Sequence, residues 1–257
     1  MRSFLRLAFA AALAAAPLVA APLAAKAQSI TPEQRGEIER IIKDYLLKNP
    51  EVLQEAIAEL EKKQSAAEAA KHQAAVKDNK EAIFNSPRQV VVGNPQGDVT
   101  FVEFFDYNCG YCKRAMEDMV TLMKEDPKLK VVLKEFPVLG PGSLEAARVA
   151  VAVRMQDKTG KKYLDFHQKL LMGRGQADKA RAMAAAKEAG LDVARIEKDL
   201  ASDEVKASLE EAFKLAEKLG LNGTPSYVIG DNVVVGAVGL AALREKVNSA
   251  RCGKATC

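Results

Sequence analysis

The stretch FFDYNCGYCKRAM, residues 104–116, decides how the rest of the chain is interpreted. Two cysteines, separated by two residues, follow an apolar run and stand at the start of a predicted helix. Cys109 lies at that start behind Asn108, a residue suited to capping a helix, and Cys112 follows one turn later. Free backbone N–H groups and the helix dipole favour thiolate over thiol at such a position. The stretch therefore predicts an attacking thiol at Cys109 and a resolving thiol at Cys112.

Other interpretations of the cysteine pair are weaker. A zinc site needs two more soft ligands, and the remaining cysteines, Cys252 and Cys257, lie about 140 residues further along the chain. A purely structural disulfide between Cys109 and Cys112 would close a very small loop and remove little chain entropy. In the C-terminal tail, residues 251–257, we predict a small stabilising disulfide between Cys252 and Cys257, with a second redox couple as the alternative.

The first 27 residues have the features of a secretory signal peptide. Arg2 and Arg6 form a basic start, an Ala/Leu-rich run follows over residues 7–25, and small residues precede a predicted cleavage after Ala27. A retained membrane anchor is the alternative, which the prolines in the run disfavour. Removing residues 1–27 lowers the formal net charge from +4 to +1. That charge does not indicate nucleic acid as a partner, and we expect an exported protein.

Residues 28–62 are predicted to form two short helices, each with apolar residues at helical spacing on one face. Thr31 and Gln34 fit a capping box at the start of the first helix. Residues 63–88 are rich in Lys, Gln, Glu and Ala and predict a helical or flexible linker. We therefore expect the apolar faces to pair with copies of themselves, and folding back onto the body is the alternative.

The body begins near Gln89. Its strand-like runs, rich in β-branched and aromatic residues, are QVVVG, VTFVEFF, KVVLKEF, SYVIG and VVVG. The predicted order is β-β-α-β, then a helical block over residues 143–219, then β-β-α. Alternation in VTFVEFF places Glu103 on the same face as Phe101 and Phe105. An acid on a buried face is costly unless it has a partner or a function.

Together, FVEFFDYNCGYCK and the downstream GLNGTPSYVIG resemble the DsbA-like thiol–disulfide oxidoreductases. The resemblance implies an α/β protein: a thioredoxin fold over residues 89–142 and 220–250, with an inserted helical domain at 143–219. YLLKNPEVLQEAI resembles the N-terminal segment of the suppressor-of-copper-sensitivity protein C (ScsC-like) subgroup, whose members are periplasmic and include trimers. Residues 28–62 would then be an N-terminal helical oligomerisation segment, with a trimer favoured over a dimer.

The resemblance also implies roles for individual residues. Thr224 and Pro225 match the cis-proline loop, which faces the reactive cysteine and pairs with substrate backbone. Glu103 matches a buried acid that assists proton transfer at the resolving cysteine. Gly110 and Tyr111 match the dipeptide of some bacterial disulfide isomerases, which also have threonine before the cis-proline and an N-terminal oligomerisation segment.

The predicted function is that of a periplasmic disulfide isomerase or reductase that acts on exported proteins through Cys109 and Cys112, without a cofactor. A membrane thiol–disulfide reductase similar to DsbD or ScsB is implied as the partner that keeps Cys109 reduced. A DsbA-type dithiol oxidase, monomeric or oligomeric, is one alternative. A copper-tolerance protein that binds Cu(I) on the same two thiols is another, since thiolates suit that ion.

Overall fold

The structure, a computed structural model, describes residues 30–257. The predicted signal peptide and its cleavage after Ala27 therefore lie outside the described residues. The chain divides into two compact units, one up to Ala58 and the other Glu59–Cys257. Across residues 30–257, we find no helix with both the length and the apolar character that a membrane span requires.

The helices and strands follow the predicted order. In the described part they are α1 (Pro32–Lys48), α2 (Glu51–Asp78), α3 (Lys80–Phe84), β1 (Val90–Gly93), β2 (Val99–Phe105), α4 (Gly110–Glu125), β3 (Leu129–Glu135), α5 (Pro141–Gln156), α6 (Lys161–Met172), α7 (Lys179–Glu188), α8 (Val193–Asp199), α9 (Asp203–Lys218), β4 (Ser226–Ile229), β5 (Asn232–Val235) and α10 (Leu240–Cys252). The helical block begins two residues earlier than predicted, and the last helix continues to the first tail cysteine.

The first unit contains α1, whose start is fixed by the predicted capping box. The Thr31 hydroxyl accepts a hydrogen bond from the Gln34 backbone N–H at 3.3 Å, and the Gln34 side chain accepts one from the Thr31 N–H at 3.0 Å. None of the α1 residues is buried. On its apolar face, Ile41 and Tyr45 are more than half exposed, at 58% and 55%.

The second unit is built on a five-stranded sheet in the order β1-β3-β2-β4-β5. β2 and β3 run parallel, while β1, β4 and β5 pair antiparallel with their neighbours. Six of the seven residues of β2 are buried because helices cover both faces of the sheet. This arrangement confirms the predicted α/β fold with a helical insertion between β3 and β4.

Alternate residues of β2 belong to two separate cores. Phe101 and Phe105 pack in the layer that contains α4, α6 and α10. Phe104 packs on the opposite face with α3 and α9. The predicted linker contributes to this second core, because Val76 near the end of α2 and Ile83 in α3 are fully buried. The Ala-, Lys- and Glu-rich composition of the linker favours helix, and these two residues attach its end to the sheet.

Candidate active site

Cys109 ends the loop after β2 and caps α4, which begins at Gly110. The prediction that Asn108 caps this helix is wrong, since the N-cap position belongs to Cys109. The Cys109 carbonyl accepts a hydrogen bond from the Cys112 N–H at 3.1 Å, which forms the first turn. The reactive sulfur is therefore set at the helix terminus by the backbone itself, where unpaired N–H groups favour an anion.

Cys109 is buried at the start of α4, with 5% of the residue exposed. Its Sγ lies 3.2 Å from the Thr224 carbonyl oxygen, to which the protonated form donates. The pKa of Cys109 is lowered to about 5, first by a hydrogen bond from the Cys112 thiol, then by one from the Thr224 side chain and by the backbone N–H groups of Cys112 and Tyr111. At neutral pH the sulfur is a thiolate, the form that attacks disulfides.

Cys112 behaves in the opposite way. It is fully buried, and its pKa is raised by its hydrogen bond to Cys109, by burial and by the negative charge of Glu103. Both thiols are free in this structure. One thiolate at the helix terminus and one protonated, fully buried thiol give the pair distinct chemical roles, an attacking sulfur and a resolving sulfur.

The Thr224–Pro225 peptide bond is cis, and it directly precedes β4. Because β4 pairs with the central strand β2, the loop stands beside the start of α4. The Pro225 carbonyl accepts a hydrogen bond from the Gly236 N–H at 2.8 Å, which ties the loop to the end of β5. The structure thus brings Cys109, Cys112, Thr224 and Pro225 into one site.

Glu103 lies in the middle of β2 on the face that packs beneath α4. It is 3% exposed. Its pKa is raised to about 8, mainly by burial and additionally by the negative charges of Cys109 and Asp118. A carboxyl group with this pKa exchanges a proton close to neutral pH, which suits proton transfer with a buried thiol.

Gly110 and Tyr111 form the outer surface of the site. Tyr111 is 59% exposed, and the Arg114 guanidinium lies 4.7 Å from the centre of its ring. A side chain at Gly110 would meet no atom within 4 Å. The surface at Gly110, next to Cys109 in the chain, is therefore open.

Asp106 is a part of the site that the sequence analysis missed. Its carboxylate accepts hydrogen bonds from the Asn108 N–H at 2.8 Å and the Ser143 hydroxyl at 2.7 Å. It also accepts from the backbone N–H groups of Val138 at 2.8 Å and Leu139 at 2.9 Å. One buried carboxylate thus joins the loop before Cys109 to the segment that leads into the inserted helices.

Asn108 makes a second connection to the insertion. Its side-chain amide donates to the Ser143 hydroxyl and to the Ala177 carbonyl, both at 2.9 Å, and its side-chain oxygen accepts from the Ala177 N–H at 2.6 Å. On α4, Lys113 Nζ donates to the Gly173 carbonyl at 3.0 Å. In the sequence, Asp106 and Asn108 just before Cys109 were the available signal that this loop is held by side-chain hydrogen bonds, because short polar side chains often bond nearby backbone.

Tyr107, which lies between Asp106 and Asn108 in the loop, belongs to a buried polar cluster. The Tyr107 hydroxyl lies 3.3 Å from that of Tyr163 and 3.2 Å from His167 Nδ1. Tyr163 donates to the Glu135 carboxyl, whose pKa burial raises well above its ordinary value. Burial also lowers the pKa of His167 to about 3. The imidazole is therefore neutral, and the cluster binds the loop to α6 and β3 without net charge.

Cys252 and Cys257 pair with each other, with an S–S distance of 2.14 Å. They lie away from the site, because Arg251 bonds Asp126 at 2.7 Å and Asp126 ends α4. A helix of 16 residues is about 24 Å long, which separates this disulfide from the other end of α4. Among residues 30–257 we find no cluster of three or more His, Cys, Asp or Glu side chains that could hold a metal ion, and the geometry contradicts a zinc site made by all four cysteines.

Two family models match the chain. The DSBA-like thioredoxin domain matches residues 100–248. The copper resistance protein ScsC N-terminal domain matches residues 34–67. These matches confirm both resemblances that the sequence motifs predicted.

Curated relatives share the same region. The chain is 26% identical over 168 residues to the Na(+)/H(+) antiporter NhaA 1 of Salinispora arenicola, and the match covers 65% of this chain and 25% of that protein. It is 24% identical over 168 residues to the probable disulfide bond formation protein D of Bacillus cereus, and the match covers 61% of this chain and 77% of that protein. The chain thus spans a quarter of the length of the first relative.

Solved structures of similar proteins have the same fold. A thioredoxin-like oxidoreductase from Silicibacter pomeroyi DSS-3 is 44% identical, with a TM-score of 0.64, covering 67% of this chain and 98% of that one. Proteus mirabilis ScsC in a transitional conformation is 29% identical, with a TM-score of 0.64, covering 88% of this chain and 98% of that one. The second match extends over the N-terminal helices as well as the thioredoxin domain.

Proposed function

The chain belongs to the DSBA-like thioredoxin domain family, and we propose that it is a periplasmic thiol–disulfide oxidoreductase that acts mainly as a disulfide isomerase or reductase on exported proteins. One observation carries the proposal: the Cys109 sulfur lies at the start of α4, 3.2 Å from the carbonyl oxygen before the cis-proline. Its pKa of about 5 provides a thiolate at neutral pH.

The chemistry proceeds in two steps. The Cys109 thiolate attacks one sulfur of a substrate disulfide, a new S–S bond forms between Cys109 and the substrate, and the other substrate sulfur leaves as a thiolate. A different substrate thiolate can then attack the mixed disulfide, which rearranges the substrate and restores Cys109. Alternatively Cys112 attacks Cys109, its proton passes to Glu103, and the substrate leaves reduced.

Exposed apolar side chains next to the site support unfolded or misfolded polypeptides as substrates. They belong to segments that contact the catalytic loop: Tyr111, Val138, Leu139, Met172, Val235 and Val238, each at least 40% exposed. Such a surface can bind apolar segments that a misoxidised protein exposes. Backbone groups of the Thr224–Pro225 loop would add sequence-independent contacts.

Isomerase rather than oxidase activity is supported by the N-terminal region. Residues 34–67 match the ScsC N-terminal domain, and α1 has an apolar face with no buried residue. We propose that residues 28–62 join copies of the chain, with a trimer favoured over a dimer, so that several Cys109 sites act on one substrate. A reducing membrane partner similar to DsbD or ScsB would keep these sites reduced.

The test is reactivation of a scrambled-disulfide protein by the chain without its signal peptide, compared with the same chain lacking residues 28–62. Both forms are sized by light scattering, and both are assayed for oxidation of a reduced substrate. We expect the longer form to assemble and to isomerise, and the shorter form to lose both properties. A monomeric longer form that oxidises reduced substrate as fast as the shorter form would instead establish the dithiol oxidase.

Cu(I) binding is a second candidate function, favoured by the pair of adjacent thiols in the reduced site and by the copper-linked name of the matching N-terminal domain. Two thiolates are suitable ligands for Cu(I). Titration of the reduced protein with Cu(I) against a chelator of known affinity tests it. One equivalent of tightly bound copper that blocks alkylation of Cys109 supports it, and loss of copper to a weak chelator contradicts it.

A further inference from the structure

Tyr227 carries a buried hydroxyl for which the mechanism above has no role. The residue is 1% exposed. Within residues 30–257 its hydroxyl oxygen has no hydrogen-bond partner. Buried hydroxyl groups in folded proteins are bonded, either to protein or to an ordered water molecule, in the large majority of cases. The unpaired hydroxyl therefore needs a partner close to its position in β4.

The position of Tyr227 in the sheet indicates which polar group lies near its hydroxyl. Tyr227 stands directly opposite Glu103 in the antiparallel pair of β4 and β2. Residues opposite each other in such a pair have Cβ atoms about 4.5–5.5 Å apart on one face of the sheet. The Tyr227 ring also packs against Phe101, with ring centres 5.1 Å apart. The phenol of Tyr227 and the carboxyl group of Glu103 are thus carried by neighbouring residues of the sheet, on the face beneath α4.

The groups around Glu103 leave this carboxyl short of hydrogen-bond donors. Cys109 at the cap of α4, and Cys112 and Asp118 within α4, face it, and the proton of the Cys112 thiol is already donated to Cys109. Its neighbour in β3 is Leu133, and the buried side chains of α10, Leu243 and Val247, are apolar. Burial, followed by the charge of Glu103, raises the pKa of Tyr227. Its hydroxyl therefore stays protonated and can donate.

We propose that the Tyr227 hydroxyl donates, through one bridging water molecule, to the ionised carboxylate of Glu103 and so serves as a positioning residue for proton transfer from Cys112. This inference rests on the role of Glu103 in the proposed function. In the resolving step the Cys112 proton passes to Glu103, the Cys109–Cys112 bond forms, and the Cys109–substrate bond breaks. The substrate sulfur leaves as a thiolate, so the substrate is reduced and the cysteine pair is oxidised. Glu103 accepts the proton only while ionised, which the Tyr227 bond favours.

The experiment replaces Tyr227→Phe, which keeps the ring against Phe101 and removes only the hydroxyl. Single-turnover reduction of a peptide disulfide is followed across pH by release of the second peptide thiol, which reports attack by Cys112. We expect the pH inflection of this step to move upward and its rate at pH 7 to fall about threefold to tenfold, the effect of one hydrogen bond. The rate of Cys109 alkylation should not change, since the groups that lower its pKa are intact.

Three companion variants decide the interpretation. Glu103→Gln should slow the step and abolish the inflection, and Tyr227→Phe should add nothing in that background. Asp118→Asn removes a negative charge facing Glu103 and should move the inflection downward, opposite to Tyr227→Phe. If Glu103→Gln has no effect, the proton-transfer role within the proposed function fails. If Glu103→Gln slows the step but Tyr227→Phe behaves as the parent, or shifts the inflection in the same direction as Asp118→Asn, only the role of Tyr227 is overturned.

Discussion

At the scale of single residues, the Cys109 sulfur owes its ionisation to donors from the start of α4 and from Thr224 before the cis-proline. The Cys112 thiol is the largest contributor, the Thr224 side chain comes next, and the backbone N–H groups of Cys112 and Tyr111 follow. Because the first two donors are side chains and the others are backbone, mutation can separate their contributions.

Replacing Cys112→Ala removes the side-chain donor and should raise the pKa of Cys109 above its value of about 5. Cys112→Ser keeps a hydroxyl that can donate and should give a smaller rise. The pH dependence of iodoacetamide alkylation measures both values. Equal pKa values in the parent and the alanine variant would show that Thr224 and the backbone N–H groups stabilise the thiolate without Cys112.

Glu103 should make the stability of the oxidised protein depend on pH. Burial, the main cause of the raised Glu103 pKa, remains in the oxidised protein, whereas the charge of Cys109 does not, so above the ordinary value of 4.5 the folded state binds more protons than the unfolded state. The free energy of unfolding should therefore fall as pH rises from this value through the raised pKa of the folded state, by about 1.36 kcal/mol for each unit by which the two pKa values differ. Urea unfolding of the oxidised protein at a series of pH values tests this. Glu103→Gln, the control, should lose the slope, and an unchanged slope would assign the pH dependence to another group.

At the scale of elements, the strands and helices were predictable because their signals are local. All five strands coincide with the predicted β-branched and aromatic runs, and burial on both faces explains the apolar continuity of β2. The contacts of Asp106 and Asn108 with the insertion and the segment before it were not predictable, since those partners lie 32–69 residues away in the chain. Asn108 has the chemistry of a helix cap, but its side chain faces the insertion instead.

Asp106→Asn should disturb both the stability and the reactivity of the site. The amide replaces a carboxylate that accepts four hydrogen bonds, so at least one backbone N–H loses its partner, at a cost of about 1–3 kcal/mol. The loop would also hold Cys109 less firmly. Urea unfolding and the alkylation rate of Cys109 measure the two effects.

Asp157→Asn is the matched control. Asp157 accepts hydrogen bonds from the Thr159 N–H and the Tyr163 N–H in a loop outside the site. We expect this variant to lose stability and to keep the parent's alkylation rate. If both variants leave the rate unchanged, Asp106 has only a structural role.

At the scale of the whole molecule, the chain combines a thioredoxin-fold unit with an N-terminal unit whose described residues, 30–58, include none that is buried. The sequence predicted α1 and its cap correctly, because capping and apolar spacing are local. The partner of its apolar face was not predictable from spacing, since the same stripe suits intramolecular and intermolecular packing. Ile38, Ile41, Ile42 and Tyr45 are exposed in the structure, and packing of this face between chains stays a proposal.

Ile41→Glu combined with Tyr45→Glu should therefore reduce the assembly to single chains and lower isomerase activity. Charges placed in an apolar helix interface lose their hydration without gaining partners. Lys43→Glu, on another face of the same helix, should leave the assembly intact. Light scattering measures the mass, and an unchanged alkylation rate of Cys109 shows that the catalytic unit is undamaged. A double variant that keeps the mass of the parent would refute association through α1.

The Cys252–Cys257 bridge has a practical consequence for work on single molecules. The bridge lies at the opposite end of α4 from Cys109. A tether attached beside it would therefore anchor the protein to a glass surface with the reactive sulfur on the side facing the solution. Individual encounters with client proteins could then be timed by microscopy without the support blocking their approach.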